Sequence, residues 1–287
     1  MVTPINDSER RKVWQIDNNE IQLTEEYMIL ATNMFNAGFI NSFMPDSIQR
    51  FTHQPSDVLS LRKKEWLTGT IISTFLSCMI LNVNDGTINY STNILNHTFY
   101  TTLTNTSYDD ASDPQWNTYD YNQVQNYTDH YTTENIFKNF IIPIHVPSHW
   151  LLCIIDPPMK TIYIIDSLRH NNSNVLKNIQ TWYKSELQRF NYDTSVNSEY
   201  DILTWHIINE NNLPSYVPVQ NDSTSCGIFL VIFAFYWYTF HRLPNCYTDW
   251  NARDIDLSVP NLRQFVLHFI IKTINNENNR LSDLSND

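Results

Sequence analysis

The chain has 287 residues, with 18 Lys and Arg against 30 Asp and Glu and a formal net charge of −12. That balance argues against a nucleic-acid backbone as partner, and no apolar run reaches the ~18 residues that a membrane span needs. The four cysteines, Cys78, Cys153, Cys226 and Cys246, form no C-x-x-C pair, which argues against a zinc site or a disulfide framework and for a reducing compartment.

Hydrophobic residues make up 42% of the chain, enough for one large domain with its own core. The first 20 residues are polar and charged and read as a loose arm without the apolar core of a secretory signal, so an intracellular protein of cytoplasm or nucleus is expected. Residues 24–37, with Glu25 and Glu26 ahead of YMILATNMF, predict an amphipathic helix. A second helix is predicted in 63–79, starting at Thr68 or Gly69, with Trp66 just ahead of it as an ordinary hydrophobic staple. Residues 88–103 read as a short polar strand and a helix, and residues 105–134, rich in Asn, Thr, Tyr and Asp without periodicity, as a long surface loop.

The stretch IIPIHVPSHWLLCIID, residues 141–156, is β-branched and apolar, and His149 opens its run WLLCII. His145 lies four residues earlier, and strand alternation puts both histidines on one face, so periodicity does not choose between them. In KTIYIIDSL, residues 160–168, Asp166 closes an apolar run, where a carboxylate must find a partner because unpaired burial costs several kcal/mol. Asp156 occupies a similar position, but Pro157 and Pro158 follow, and a turn explains it. Residues 174–190 read as an amphipathic helix, 191–200 as a polar insert and 201–208 as a strand.

In VPVQNDSTSCGIFLVIF, residues 217–233, Cys226 stands between a polar turn and an apolar run, and a buried helix over 226–240 begins at the thiol. Exposed N–H groups at a helix start favour a thiolate; the ordinary alternative is a small buried hydrophobe. Gln220 lies six positions earlier and can offer its amide to a developing oxyanion. A base, an orienting carboxylate and a thiol are the minimum set for thiol catalysis. A last amphipathic helix is predicted over 260–275, with a frayed tail after it.

The order His-Trp, Asp-Ser-Leu and Gln-x5-Cys-Gly resembles the Ulp/SENP family of ubiquitin-like-protein cysteine proteases, peptidase clan CE. EWLTGTIISTFL resembles that family's Trp-Leu-Asn-Asp opening helix, HTFYTTL its Thr-Phe-Phe-Tyr segment, and LRQFVLHFIIKTI its closing helix. The resemblance implies an α+β, papain-like domain over 61–280 with a central mixed sheet flanked by helices, an N-terminal extension over 1–60 and a frayed tail over 281–287. It implies a base at His149, an orienting acid at Asp166, a nucleophile at Cys226 and an oxyanion amide at Gln220. It also implies a narrow tunnel between Trp66 and Trp150 that admits a Gly-Gly tail, because only glycine lacks the Cβ that such a slot excludes. The implied substrate is a ubiquitin-like protein, SUMO or ubiquitin, or its conjugates, cut by a monomer without metal or cofactor. The same triad also serves Gly-Gly-X polyprotein proteases and acetyltransferases, and a non-catalytic binding module is the reading from a different class. The pattern is departed from in two places. Thr68 and Gly69 replace the family's Asn-Asp, and Ser225 replaces the Asp that usually precedes the nucleophile.

Overall fold

Between residues 139 and 165 the chain is rich in Ile, Phe, Val, Leu and Trp, whose branched and aromatic side chains suit a pleated, buried surface. The computed structural model describes residues 55–62, 64–81, 92–106, 118–245 and 259–284. Its helices are α1 (Pro55–Leu59), α2 (Gly69–Leu81), α3 (Phe99–Leu103), α4 (Ser173–Arg189), α5 (Cys226–Phe240) and α6 (Val259–Leu284). Its strands are β1 (Thr92–Ile94), β2 (Asn139–Val146), β3 (His149–Asp156), β4 (Thr161–Ile165) and β5 (His206–Ile208). They form one sheet in the order β1-β2-β3-β4-β5, antiparallel through β2, β3 and β4 and parallel at both edges. The fold is α+β with a central mixed sheet, as expected.

The run WLLCII is continuous because β3 is covered on both faces. Trp150, Leu152 and Ile154 face a core shared with α2, α5 and α6, while Leu151, Cys153 and Ile155 face one built with Phe99 of α3 and Trp182 and Tyr183 of α4. Helix α5 is apolar all round and is accordingly buried from Cys226 to Tyr238. Its thiol end is thereby held by the core itself. Helix α4 buries only Val175, Ile179, Trp182, Tyr183, Glu186 and Leu187, one stripe of an amphipathic helix.

Several expectations change. Residues 118–137 are not a free surface loop: they form three short 3₁₀ turns, with Val124, Thr128 and Ile136 fully buried. The cause is Glu186, a buried carboxylate on α4 that accepts hydrogen bonds from Tyr121 Oη (2.8 Å), Thr128 Oγ1 (2.9 Å) and Arg189 Nη2 (2.6 Å). Such a network is invisible to periodicity. Only His206–Ile208 of the predicted 201–208 strand pairs with β4; Ile202–Thr204 is a 3₁₀ turn whose first N–H groups include Leu203, capped by Asp201. Helix α6 continues to Leu284, into the tail read as frayed, since a helix anchored by packing propagates at one hydrogen bond per added residue. The helix predicted over 24–37 and most of the 1–60 extension lie outside the described residues. Among the described residues no helix is long and apolar enough to cross a membrane.

Candidate active site

The hairpin between β2 and β3 turns on Pro147 and Ser148 alone, with Ser148 in the left-handed region at φ 58°. This overturns the single-strand reading of the two histidines. Val146 pairs with His149 and His145 pairs with Trp150. Paired residues share a face and neighbours alternate, so His145 and His149 are on opposite faces. The His145 ring lies 4.3 Å from the Trp150 ring, and burial, helped by the nearby His149, lowers its pKa to about 4. It is a neutral packing partner of Trp150 near pH 7.

His149 has the other environment. Its Nε2 lies 2.7 Å from Asp166 Oδ1, with both groups buried. Burial disfavours the imidazolium, but hydrogen bonds with Asp166 and with the Cys226 thiol outweigh it and raise the His149 pKa to about 9. With Nε2 directed at the carboxylate, Nδ1 is the ring atom left for the thiol.

Asp166 follows β4 directly and accepts four donors. Oδ1 takes His149 Nε2 and the Leu168 N–H (2.8 Å), and Oδ2 takes the His170 N–H (3.2 Å) and Asn172 Nδ2 (3.0 Å). Burial alone would raise its pKa; the bonds from His149, Asn172 and Leu168 win and hold the carboxyl below its ordinary range. His149, Asp166 and His170 bring ligand atoms within 4.8 Å of one another. With both carboxylate oxygens already filled by protein donors, this cluster reads as an orienting network rather than a cation site.

Cys226 is the first residue of α5 and is 2% exposed. The loop before it is held by Asp222, whose carboxylate accepts from the N–H groups of Thr224 (2.7 Å) and Ser225 (2.8 Å) and from Ser225 Oγ (2.6 Å). Ser225, the departure from the family pattern, is thus tied to an acid three residues upstream. Helix α5 then aims the positive end of its dipole at the thiol. The other described cysteines are poor nucleophiles: burial pushes the Cys78 thiol up to about 12 and Cys153 higher still. Cys246 lies outside the described residues.

Gln220 is packed beside the acid loop. Its N–H donates to the Ser167 carbonyl (3.0 Å), its Oε1 accepts from Ser167 Oγ (2.8 Å), and its Nε2 donates to the Asp222 carbonyl (2.6 Å). These bonds fix the amide's orientation, and the second Nε2 hydrogen is available to a developing anion.

The two tryptophans converge on one backbone segment. Trp150 is buried and donates its Nε1–H to the Leu67 carbonyl at 3.2 Å, next in sequence to Trp66, which is 44% exposed. Trp66 is therefore no buried staple. A Cβ added to Gly227 would lie 2.8 Å from Leu67 Cβ, so the glycine after the thiol lets α5 press against this segment. Gly69, the other departure, has a similar cause. A Cβ there would meet His97 Cδ2 at 2.1 Å, and the His97 ring is pinned by Ser73 Oγ at 2.8 Å from Nδ1. His97 fills the space that a side chain at position 69 would need.

Residues 65–254 match the family described as Ulp1 protease family, C-terminal catalytic domain. The chain belongs to the Ulp1 protease family. Human sentrin-specific protease 2 is 23% identical over 235 residues, covering 78% of this chain and 35% of that protein, so the chain spans about a third of the curated relative's length. The structure of SUMO protease Ulp1 with its catalytic cysteine oxidized to a sulfenic acid is 22% identical, covers 88% of this chain and 96% of its own, and superposes with a TM-score of 0.57. The C-terminal Ulp1 protease domain in complex with Smt3, the yeast ortholog of SUMO, gives 21%, 88%, 97% and 0.56 for the same measures. At these identities the two structures establish that this Ulp1-family chain shares their fold.

Asp222, Asn172, His97 and Arg263 were not singled out from the sequence. A signal existed for Arg263, which falls on the same helical stripe as the buried Val266, Leu267 and Ile270.

Proposed function

We propose that the chain is a cysteine protease that hydrolyses the bond after the C-terminal Gly-Gly of a ubiquitin-like modifier. The observation that carries this reading is the buried His149–Asp166 pair at 2.7 Å, in a fold that places the Cys226 thiol at the start of α5. His149 Nδ1 takes the Cys226 proton, and Asp166 holds the ring so that Nε2 keeps its own. The thiolate attacks the glycine carbonyl, and the tetrahedral oxyanion is met by Gln220 Nε2 and backbone N–H at the head of α5. The imidazolium then gives its proton to the leaving amine, leaving a thioester. Water, deprotonated by the same Nδ1, hydrolyses the thioester and restores the thiol. Every step uses groups of this chain.

Trp66 and Trp150 form the walls of the passage for the Gly-Gly tail. SUMO or ubiquitin is the substrate class, supported by family membership and by the fold shared with a protease solved with Smt3. The test is a panel of modifiers whose last glycine is replaced by a thiol-reactive electrophile, applied to wild type and to Cys226→Ala. A covalent adduct that needs Cys226 establishes the nucleophile and names the modifier. A folded wild type that reacts with no member of the panel refutes the reading.

A further inference from the structure

Among the described residues Arg263 is the one buried Arg or Lys, and it lies between the two segments that build the site. It lies on α6 and is 1% exposed. Its Nη1 donates to the Ser60 carbonyl at 2.9 Å and its Nη2 to the Glu65 carbonyl at 2.6 Å. Nη2 also reaches the Thr224 carbonyl at 3.4 Å. The first two carbonyls belong to the segment that ends in Trp66 and Leu67. The third belongs to the loop that ends in Cys226. One guanidinium therefore spans two stretches of chain that are far apart in sequence and must be in register for substrate and thiol to meet.

Burying an arginine is costly, and here burial lowers its proton affinity against the opposing charges of Asp222, Glu65 and Cys226. A methionine would fill that volume without the cost, so packing alone does not account for an arginine here. The fork geometry of a guanidinium does, because its separate N–H groups point at carbonyls on different sides. Asp222 completes the arrangement: it holds the N–H groups of Thr224 and Ser225 while Arg263 holds the Thr224 carbonyl. The Thr224–Ser225 peptide unit, just ahead of the thiol-bearing residue, is gripped from both ends.

We propose that Arg263 is a positioning residue that locks the Trp66-bearing segment to the Cys226 loop. This rests on the protease reading for its reaction, but its geometry can be tested without any substrate.

The experiment compares wild type with Arg263→Lys and Arg263→Met in the full chain. Alkylation of Cys226 by iodoacetamide is followed at one fixed pH, turnover is measured on whichever modifier labels the wild type, and folding is checked by thermal melting. Lysine offers a single ammonium group that cannot bridge both segments, and methionine offers no donor at all. Both are expected to change the rate of Cys226 alkylation severalfold and to lower kcat on the order of 10- to 100-fold, the scale of a small misplacement of reacting groups. A residue of the fold alone would change the melting temperature and leave both readouts in place. Folded variants with wild-type alkylation and turnover would overturn the proposal, and so would failure of both variants to fold, since Arg263 would then serve folding only. If wild type turns over no modifier, the protease reading fails, and the rate of Cys226 alkylation in the folded variants, changed severalfold or left at the wild-type value, still decides the role of Arg263.

Discussion

Replacing Asp166 by Asn keeps the shape of the side chain and removes its charge, which isolates what the carboxylate does for His149. In the wild type the imidazolium is stabilised enough to raise the His149 pKa from the ordinary 6.5 to about 9. At ~1.4 kcal/mol per tenfold change in proton affinity, that is roughly 3 kcal/mol, net of the burial that opposes it. Asp166 supplies much of it, with Cys226 contributing the remainder. Asparagine does further damage: its oxygen can keep two of the four donors, but its own NH2 then faces the other two. If the imidazolium stabilisation is lost where the imidazolium forms during catalysis, kcat falls on the order of 100-fold.

The assay is kcat/KM against pH, together with the His149 titration followed by NMR. In wild type, turnover should fall as pH rises through about 9, where His149 loses the proton it must give to the leaving group. In Asp166→Asn that fall should begin at lower pH. Stability gives an independent reading. The His149 contribution is fully present below its ordinary 6.5 and is lost as pH rises through about 9. The Asp166 contribution is present above its ordinary 3.8 and is lost as pH falls below that. The gap in melting temperature between wild type and variant is therefore widest between pH 3.8 and 6.5 and narrows toward 9. A variant whose turnover stays within about threefold of wild type, with His149 still titrating near 9, would refute the reasoning.

Three other substitutions probe the rest of the site. Gln220→Ala should lower kcat by roughly 100- to 1000-fold with little change in KM, as expected for a donor that acts on the oxyanion; steady-state kinetics distinguish this from a binding defect. Trp66→Ala should leave unfolding free energy within ~1 kcal/mol, because the residue is exposed at the surface rather than part of the core, yet raise KM by about tenfold or more; denaturant melts and kinetics on a Gly-Gly substrate check both halves. Gly69→Asp should destabilise by roughly 1–3 kcal/mol through its clash with His97, and His97→Ala should recover part of that loss in the double variant. Additive losses in that cycle would show that His97 does not occupy the space of a side chain at position 69.

How much of this was legible in the sequence depends on whether the signal is a side chain or a backbone group. WLLCII announced an apolar strand, and IFLVIFAFYWY a buried helix, because local patterns of side chains decide both. His149, Asp166 and Cys226 stood at the ends of such runs, and the structure brings the first two within 2.7 Å of each other. The contacts that hold the site's loops are of another kind. Arg263 donates to the carbonyls of Ser60, Glu65 and Thr224; Arg169 donates to those of Leu213, Pro214 and Val217, ahead of Gln220; Trp150 donates to that of Leu67.

Every residue has a carbonyl, so no residue type marks the acceptor, and nothing in the pattern of letters says which loop an arginine will reach. The acceptor can even be changed without changing the bond, provided the backbone path is kept. The donor has no such freedom, since a guanidinium fork or an indole N–H is specific to one residue type. In this fold the constraint therefore falls on isolated donors such as Arg169 and Arg263, while the loops they hold are free to vary in sequence. The replacement of Asp by Ser225 before the thiol is an instance: the peptide there is held by Asp222 on one side and Arg263 on the other, and the side chain at 225 itself only adds one bond, from its Oγ. The two departures from the family pattern are thus absorbed by residues that are remote or offset in sequence, His97 for Gly69 and Asp222 with Arg263 for Ser225, and neither disturbs the 2.7 Å contact between His149 and Asp166.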